Sequence, residues 1–295
     1  MTEMNRPADT PRIADSHCHL DALDPKEFET AMSQAEASGI DLLVTVGMDV
    51  KTSTVAVEIA EGHSGIFAGV GLHPWLVQDH DGPPLDDLRI LAESSPSVVA
   101  IGEIGLDFVD NSWLDLSYLD PELRRGQQEA FRKQLALARE LNLPVILHSR
   151  GAHRAVTEIL TQEGMDAVGG CVQFFEGDGE DVERYLELGF HFSVGASVTF
   201  SDPGGWYDTV RAIPDSALMI ESDAPWLPFA GKDRDRSTPA DLVSIVDAIA
   251  EIRAQEPAEI FRISRENCIR GFPGVARAHG QDEGAHGQDE GVDAA

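Results

Sequence analysis

Apolar strand-like runs alternate with helix-forming stretches from residue 12 to residue 275, possible metal-binding side chains fall where several of those runs end, and no glycine-rich nucleotide loop follows any of them. These three features predict an α/β fold, a single domain closed into a (β/α)8 TIM barrel, rather than an open doubly wound sheet. Continuous apolar strands separated by helices imply parallel strands covered on both faces. A closed barrel also gathers the C-terminal ends of its strands around one mouth, which makes the position of each polar residue informative.

The first predicted strand, Arg12–His17, follows a polar, proline-containing N-terminus (residues 1–11) expected to be unstructured. Asp24-Pro25 reads as a helix N-cap followed by proline at the first helical position, and Gly39 closes the helix after Ser38. The pattern recurs with a strand at Asp41–Gly47, a helix near Thr52–Glu61, a strand at Ile66–Gly71, a helix near Leu85–Glu93 and a strand at Val98–Ile104. A long acidic loop through Trp113 and Tyr118 leads to an amphipathic helix over Pro121–Leu141, with Phe131, Leu135 and Ala138 at three-to-four spacing. Further strands are expected at Val145–His148, Ala167–Phe174, Phe190–Val194 and Ala217–Ser222, with helices over Ala152–Gln162 and Gly179–Leu188 and a short helix before the last strand. Helices near Pro239–Ala254 and Pro257–Ile269 complete the domain. From residue 276 the composition shifts to a tail, residues 276–295, in which Ala-His-Gly-Gln-Asp-Glu-Gly occurs at 278–284 and again at 285–291. Such a glycine-rich acidic repeat cannot bury apolar surface and is expected to be disordered.

The 295 residues, 42% of them hydrophobic, suffice for one large core. No run approaches the roughly 18 apolar residues of a membrane span, and the first residues lack the apolar centre of a signal peptide, so a cytoplasmic protein is expected. Cys18, Cys171 and Cys268 have no paired metal or redox spacing and read as reduced, buried residues. With 52 acidic and 22 basic residues the net charge is −30, and only 4 of the basic residues are lysines. That surface repels polyanions and acidic membranes unless salt or a local cationic site intervenes. Acidic, lysine-poor chains are typical of cytoplasms with concentrated salt, so a halophilic setting is expected beside the ordinary alternative. A monomer is the expectation for the oligomeric state, which no motif addresses.

The stretch Asp15-Ser16-His17-Cys18-His19-Leu20-Asp21 anchors the functional reading. Side chains alternate along a strand, so His17 and His19 point the same way with Asp15 behind them and Cys18 opposite. A His-x-His pair alone is weak evidence, since single histidines are more often satisfied polar groups. Further strand ends then supply His73, Glu103, His148, Gln173 and Asp223. Seven such residues at one barrel mouth are hard to explain as packing, because buried ionisable groups cost several kcal/mol unless paired or metal-bound. Imidazoles with carboxylates suit Zn²⁺ or Mn²⁺ better than Ca²⁺. Glu103 has two oxygens and can bridge two ions, an arrangement common in phosphate-ester hydrolysis by a metal-activated water, with Asp223 as the proton acceptor.

At this point five blocks carry a family resemblance: residues 15–21, Gly-Leu-His-Pro at 71–74, Ala-Ile-Gly-Glu-Ile-Gly-Leu-Asp at 100–107, Leu-Pro-Val-Ile-Leu-His-Ser-Arg at 143–150 and Ile-Glu-Ser-Asp-Ala-Pro-Trp-Leu at 220–227. In that order, over about residues 13–272, they resemble the TatD-type metal-dependent hydrolases within the amidohydrolase-like barrels. The resemblance implies a two-metal phosphodiesterase acting on DNA, often as an exonuclease. It implies that His17, His19, Glu103 and Asp223 hold the first cation and that Glu103 and His148 serve the second. Arg150 is then expected near a substrate phosphate, and His73 close enough to help position substrate.

The departures are local. Where the family supplies a second-site histidine, Gly170-Cys171-Val172-Gln173-Phe174-Phe175 supplies Gln173, a neutral and poorer ligand that weakens the second site or favours a harder ion such as Mg²⁺ or Mn²⁺. The loop after Asp107 is long and acidic, and residues 231–239 follow the family pattern loosely. One or two divalent cations per chain, Zn²⁺, Mn²⁺ or Mg²⁺, are therefore expected. Two alternatives stand beside a metal-dependent deoxyribonuclease: a mononuclear hydrolase of amides, lactones or small phosphoesters, and a catalytically lapsed barrel kept as a binding protein.

Overall fold

The computed structural model describes residues 12–110, 120–201, 205–232 and 236–278. Residues 1–11, the loop containing Trp113 and Tyr118, and the heptad repeats after Ala278 lie outside the described residues. Eight parallel strands pair in sequence order: β1 (Ile13–Cys18), β2 (Ile40–Val46), β3 (Ile66–Val70), β4 (Val98–Asp107), β5 (Val145–Arg150), β6 (Gly170–Val172), β7 (Phe190–Val194) and β8 (Leu218–Ile220). Around the seam, Ser16 Oγ donates to the Ile220 carbonyl over 2.9 Å. His19 N donates to Ala224 O over 2.6 Å, and Asp223 N to His17 O over 3.1 Å. Those bonds tie the first strand to the segment leaving the eighth, and the expected (β/α)8 barrel results.

α-Helices cover the strands: α1 (Pro25–Ser38), α2 (Val50–Gly62), α3 (Leu85–Ser94), α4 (Pro121–Leu141), α5 (His153–Glu163), α6 (Gly179–Glu187), α7 (Trp206–Ala212), α8 (Leu242–Arg253) and α9 (Pro257–Gly271). Local chemistry sets several of their ends. Asp24 accepts from Lys26 N and Glu27 N while Glu27 accepts from Asp24 N, so the start of α1 satisfies its own free N–H groups. Alternation along the strands sorts their side chains into two clusters. Leu43, Ile101 and Leu147 pack in the larger one with helix residues such as Phe131 and Leu135. Leu42, Val44, Val46, Ile146 and Met219 form the smaller one with Cys268 of α9, Phe272 and Val275, which is the packed inside of the barrel.

Several boundaries differ from the sequence reading. β4 runs three residues beyond Ile104 to Asp107, and β5 runs beyond His148 to Arg150. β6 is confined to Gly170–Val172, because Met165–Ala167 forms a 3-10 turn and Gly169 and Gly170 both take positive φ. A side chain at Gly170 would bring Cβ within 2.1 Å of the Val145 carbonyl, so only glycine fits beside β5. β8 ends at Ile220, leaving Glu221, Ser222 and Asp223 in the loop that follows. The expected helix over Pro239–Ala254 is a 3-10 turn at Pro239–Asp241 followed by α8. Residues 273–278 are helical, so helical structure continues through position 276, where the composition changes. No helix among the described residues is long and apolar enough to cross a membrane.

Candidate metal centre

Glu103 lies within β4 and is 2% exposed, and it divides its two oxygens between two groups of side chains. Its Oε2 lies 3.5 Å from His17 Nε2 and 3.5 Å from His19 Nε2. Those two nitrogens are 3.1 Å apart, and Asp223 Oδ1 is 3.7 Å from the first and 3.5 Å from the second. The first group is thus His17, His19, Asp223 and one oxygen of Glu103.

Each of these side chains arrives by a different local route. His17 is in β1, where the pairing with β2 shifts register between Asp15 and Cys18, and His19 is the first residue after the strand. Asp223 takes a left-handed φ of 50° in the turn after β8, three residues beyond the strand. That turn is anchored from behind by Asp15, which accepts from Ser222 N over 3.0 Å, from Ser222 Oγ over 2.5 Å and from His17 N over 3.3 Å. Asp15 therefore holds the strand end and the turn together.

The second group meets on Glu103 Oε1. His148 Nδ1 lies 2.9 Å from it, His73 Nε2 3.3 Å, and Gln173 Nε2 donates to it over 2.7 Å. His73 Nε2 and His148 Nδ1 are 3.2 Å apart. Gln173 follows β6 directly, and its own Oε1 is buried with no hydrogen-bond partner. The next residue is fixed by Glu221, whose Oε1 accepts from Phe174 N over 2.8 Å.

The outer hydrogen bonds decide which ring nitrogens face inward. His19 Nδ1 lies 2.8 Å from the Val46 carbonyl; an oxygen there can only accept, so Nδ1 carries the proton and Nε2 turns its lone pair to the centre. His148 Nε2 lies 3.1 Å from Asp107 Oδ2, which leaves Nδ1 facing Glu103. Trp75 Nε1 also donates to Asp107 Oδ2, over 2.6 Å. Asp107 is fully buried at the end of β4, and the sequence reading assigned it no part in the site. Its signal was present nonetheless, a carboxylate closing an apolar run four residues after Glu103. Arg150, at the exposed end of β5, reaches to 3.9 Å from the same Asp107 oxygen.

Burial and mutual charge set the protonation of these groups. Burial pushes Asp223 up to about 7 and Asp15 up to about 7, the latter against three hydrogen bonds that favour its charge. Burial also drives His17 down to about 3, against the pull of Glu103. Burial opposes the charge on His148, but its bonds to Asp107 and Glu103 outweigh that and lift it to about 9. Glu103 stays well below the usual carboxylate range in spite of burial, because His73, His148 and His17 surround it.

The first group fits a divalent cation. A tetrahedral ion with bonds of about 2.1 Å spaces its ligand atoms about 3.4 Å apart. The separations of 3.1–3.7 Å from His17 Nε2 and His19 Nε2 to each other, to Glu103 Oε2 and to Asp223 Oδ1 match that spacing. Two imidazoles and two carboxylates also suit a borderline cation chemically.

A barrel whose strand ends converge imidazoles and carboxylates on one such position falls in the class of metal-dependent hydrolases. The chain belongs to the TatD-related DNase family, which it matches over residues 14–273. It is 36% identical over 266 residues to the uncharacterized metal-dependent hydrolase YabD of Bacillus subtilis (strain 168), covering 88% of this chain and 98% of that one. It is 33% identical over 263 residues to the 3'-5' ssDNA/RNA exonuclease TatD of Rahnella sp. (strain Y9602), covering 85% and 94% of the two chains. The crystal structure of YjjV, a TatD homologue from Escherichia coli K12, superimposes with a TM-score of 0.80 at 28% identity, over 90% of this chain and 99% of that chain.

Proposed function

We propose that this metal-dependent hydrolase is a phosphodiesterase that cleaves single strands of DNA from an end. The observation that carries the reading is the convergence of His17 and His19 at the end of β1, Glu103 within β4 and Asp223 in the turn after β8 on one cation-sized position. The naming of the Rahnella relative as a single-strand exonuclease supports the choice of substrate. When bound, a divalent cation there supplies Lewis acidity to a phosphate oxygen and acidifies water.

The protein's own residues do the rest. His19, held through Nδ1 by Val46, and His17 orient the site, while the Asp223 carboxylate accepts the proton that the attacking water loses as its oxygen bonds to phosphorus. Arg150, half-exposed beside Asp107, offsets charge building on the phosphate as the bond to the departing sugar oxygen breaks. His73, with Nε2 3.3 Å from Glu103 Oε1, helps to position that carboxylate. With a net charge of −30, affinity for DNA comes from this local cluster rather than from a broad basic face. The buried free thiols of Cys18, Cys171 and Cys268 support a reducing, cytoplasmic setting.

The charge also favours a second reading, hydrolysis of a small ester, since a small substrate avoids long-range repulsion. One assay separates them: the chain loaded with Mn²⁺ in concentrated KCl is given end-labelled single-stranded DNA and, separately, a small chromogenic phosphodiester. Release of mononucleotides, abolished by a chelator, is the expected result. Turnover of the small ester with intact DNA would overturn the nuclease reading.

A further inference from the structure

The second group has cation-like spacing but unfavourable hydrogens. Its nearest atoms are separated by 2.9 Å (His148 to Glu103), 3.2 Å (His73 to His148) and 3.3 Å (His73 to Glu103). Distances alone would therefore admit an ion among His73, Glu103 and His148. A ligand, however, must point a lone pair at the metal. The backbone N–H of Trp75 donates to His73 Nδ1 over 3.1 Å, at the start of the turn Pro74–Asp79. An amide N–H has no acceptor role, so the lone pair of neutral His73 is on Nδ1 and its proton is on Nε2. Moving that proton to Nδ1 would set two N–H groups against each other. His73 therefore faces Glu103 Oε1 with an N–H.

Gln173 does the same. Its Nε2 is 2.7 Å from Glu103 Oε1 and 3.1 Å from His148 Nδ1, while Oε1 has no hydrogen-bond partner. Turning the amide over would exchange a good hydrogen bond for two carbonyl-type oxygens in repulsive contact. Glu103 Oε1 is thus already served by two N–H donors. Only His148 Nδ1 is left to turn a lone pair to this position, once it has given up the proton that faces Glu103, and one imidazole with a shared carboxylate does not make a site.

We infer that this chain works with a single cation, held on the Glu103 Oε2 side, and that His73 and Gln173 close the second position by donating N–H bonds to Glu103 Oε1. The inference rests on reading the centre as a hydrolytic metal site and makes His73 and Gln173 positioning residues for Glu103. It departs from a coordinating role for Gln173.

Chelated full-length protein titrated with Mn²⁺, followed by calorimetry and electron paramagnetic resonance, tests it without recourse to activity. Wild type should take up one equivalent and show the resolved hyperfine pattern of an isolated ion, with any further binding at least about 100-fold weaker. Gln173→His should add a second equivalent and broaden the spectrum by exchange between neighbouring ions. His73→Ala should still bind one tightly. Two equivalents of similar affinity in wild type, falling to one in His73→Ala, would overturn the inference in favour of His73 as a ligand. A Gln173→His chain that keeps one equivalent would remove Gln173 from the explanation. No bound Mn²⁺ in wild type would instead sink the metal reading of the whole centre, and failure to cut DNA with one ion bound would touch only the proposed substrate.

Discussion

His148 and Asp107 are joined by one hydrogen bond, Nε2 to Oδ2 over 3.1 Å, and that bond determines which imidazole nitrogen faces Glu103. The same carboxylate oxygen accepts from Trp75 Nε1, so a fully buried aspartate orients two rings at once. In Asp107→Asn an amide N–H can face His148 Nε2 and reverse the tautomer. The expected loss is about 10- to 100-fold in kcat, with near-ultraviolet circular dichroism reporting the altered Trp75 environment. A kcat equal to wild type would show that His148 needs no such anchor.

Asp223→Asn keeps the shape of the side chain but removes the proton acceptor. Hydrolysis should fall by about 10²- to 10⁴-fold. Burial already pushes this carboxyl up to about 7, so a neutral amide is well tolerated by the metal-free fold. At pH 8 in a chelator the variant should melt at or above the wild-type temperature. Full activity in Asp223→Asn would end the proposed role.

The buried carboxyl of Asp15 predicts a pH dependence with a definite sign. Its pKa rises from 3.8 to about 7 on folding, so between those values the folded state holds a proton that the unfolded chain has released. The stability contributed is fully present below the lower value and is lost as pH rises through the upper one. Asp15→Asn should flatten that dependence, by an amount on the order of a few kcal/mol, in urea unfolding of chelated protein at pH 5 and pH 8. Parallel curves for the two proteins would place Asp15 outside the titration.

Asp24 serves as a control far from the chemistry. Asp24→Ala deletes the cap that accepts from Lys26 N and Glu27 N. It should cost about 1 kcal/mol, lowering Tm by about 2–4 °C, with kcat unchanged.

Salt should stabilise the fold. A net charge of −30 repels itself through solvent, and raising KCl from about 0.1 M to about 1 M shortens the screening length from about 10 Å to about 3 Å. Thermal melts in KCl should shift upward, and a melting temperature that falls with KCl would count against a salt-adapted surface.

Much of the fold was legible along the chain. α4 begins and ends where the sequence indicated, because Pro121 at the first turn, the three-to-four spacing of Phe131, Leu135 and Ala138, and Asn142 at the left-handed cap are all local signals. β6 was overextended because Ala167–Val172 is an unbroken run without a polar side chain. The positive φ of Gly169 and Gly170 that shortens it depends on how close β5 approaches. At the site, residues could be proposed from their place at strand ends, whereas Asp107 was passed over as the start of a loop.

By itself the sequence determined the alternation of strands and helices, the chemical types at the strand ends, and the glutamine at position 173, since each is a property of neighbouring residues. Only the tertiary structure decided which atom faces which: Glu103 Oε2 toward His17 and His19, Oε1 toward His148 and Gln173, and Asp15 beneath Ser222. The reason is physical. These contacts join segments up to 207 residues apart, and closure of the barrel brings them together. Once together, the direction of each proton depends on the third group behind it, as Trp75 N sets His73 and Asp107 sets His148.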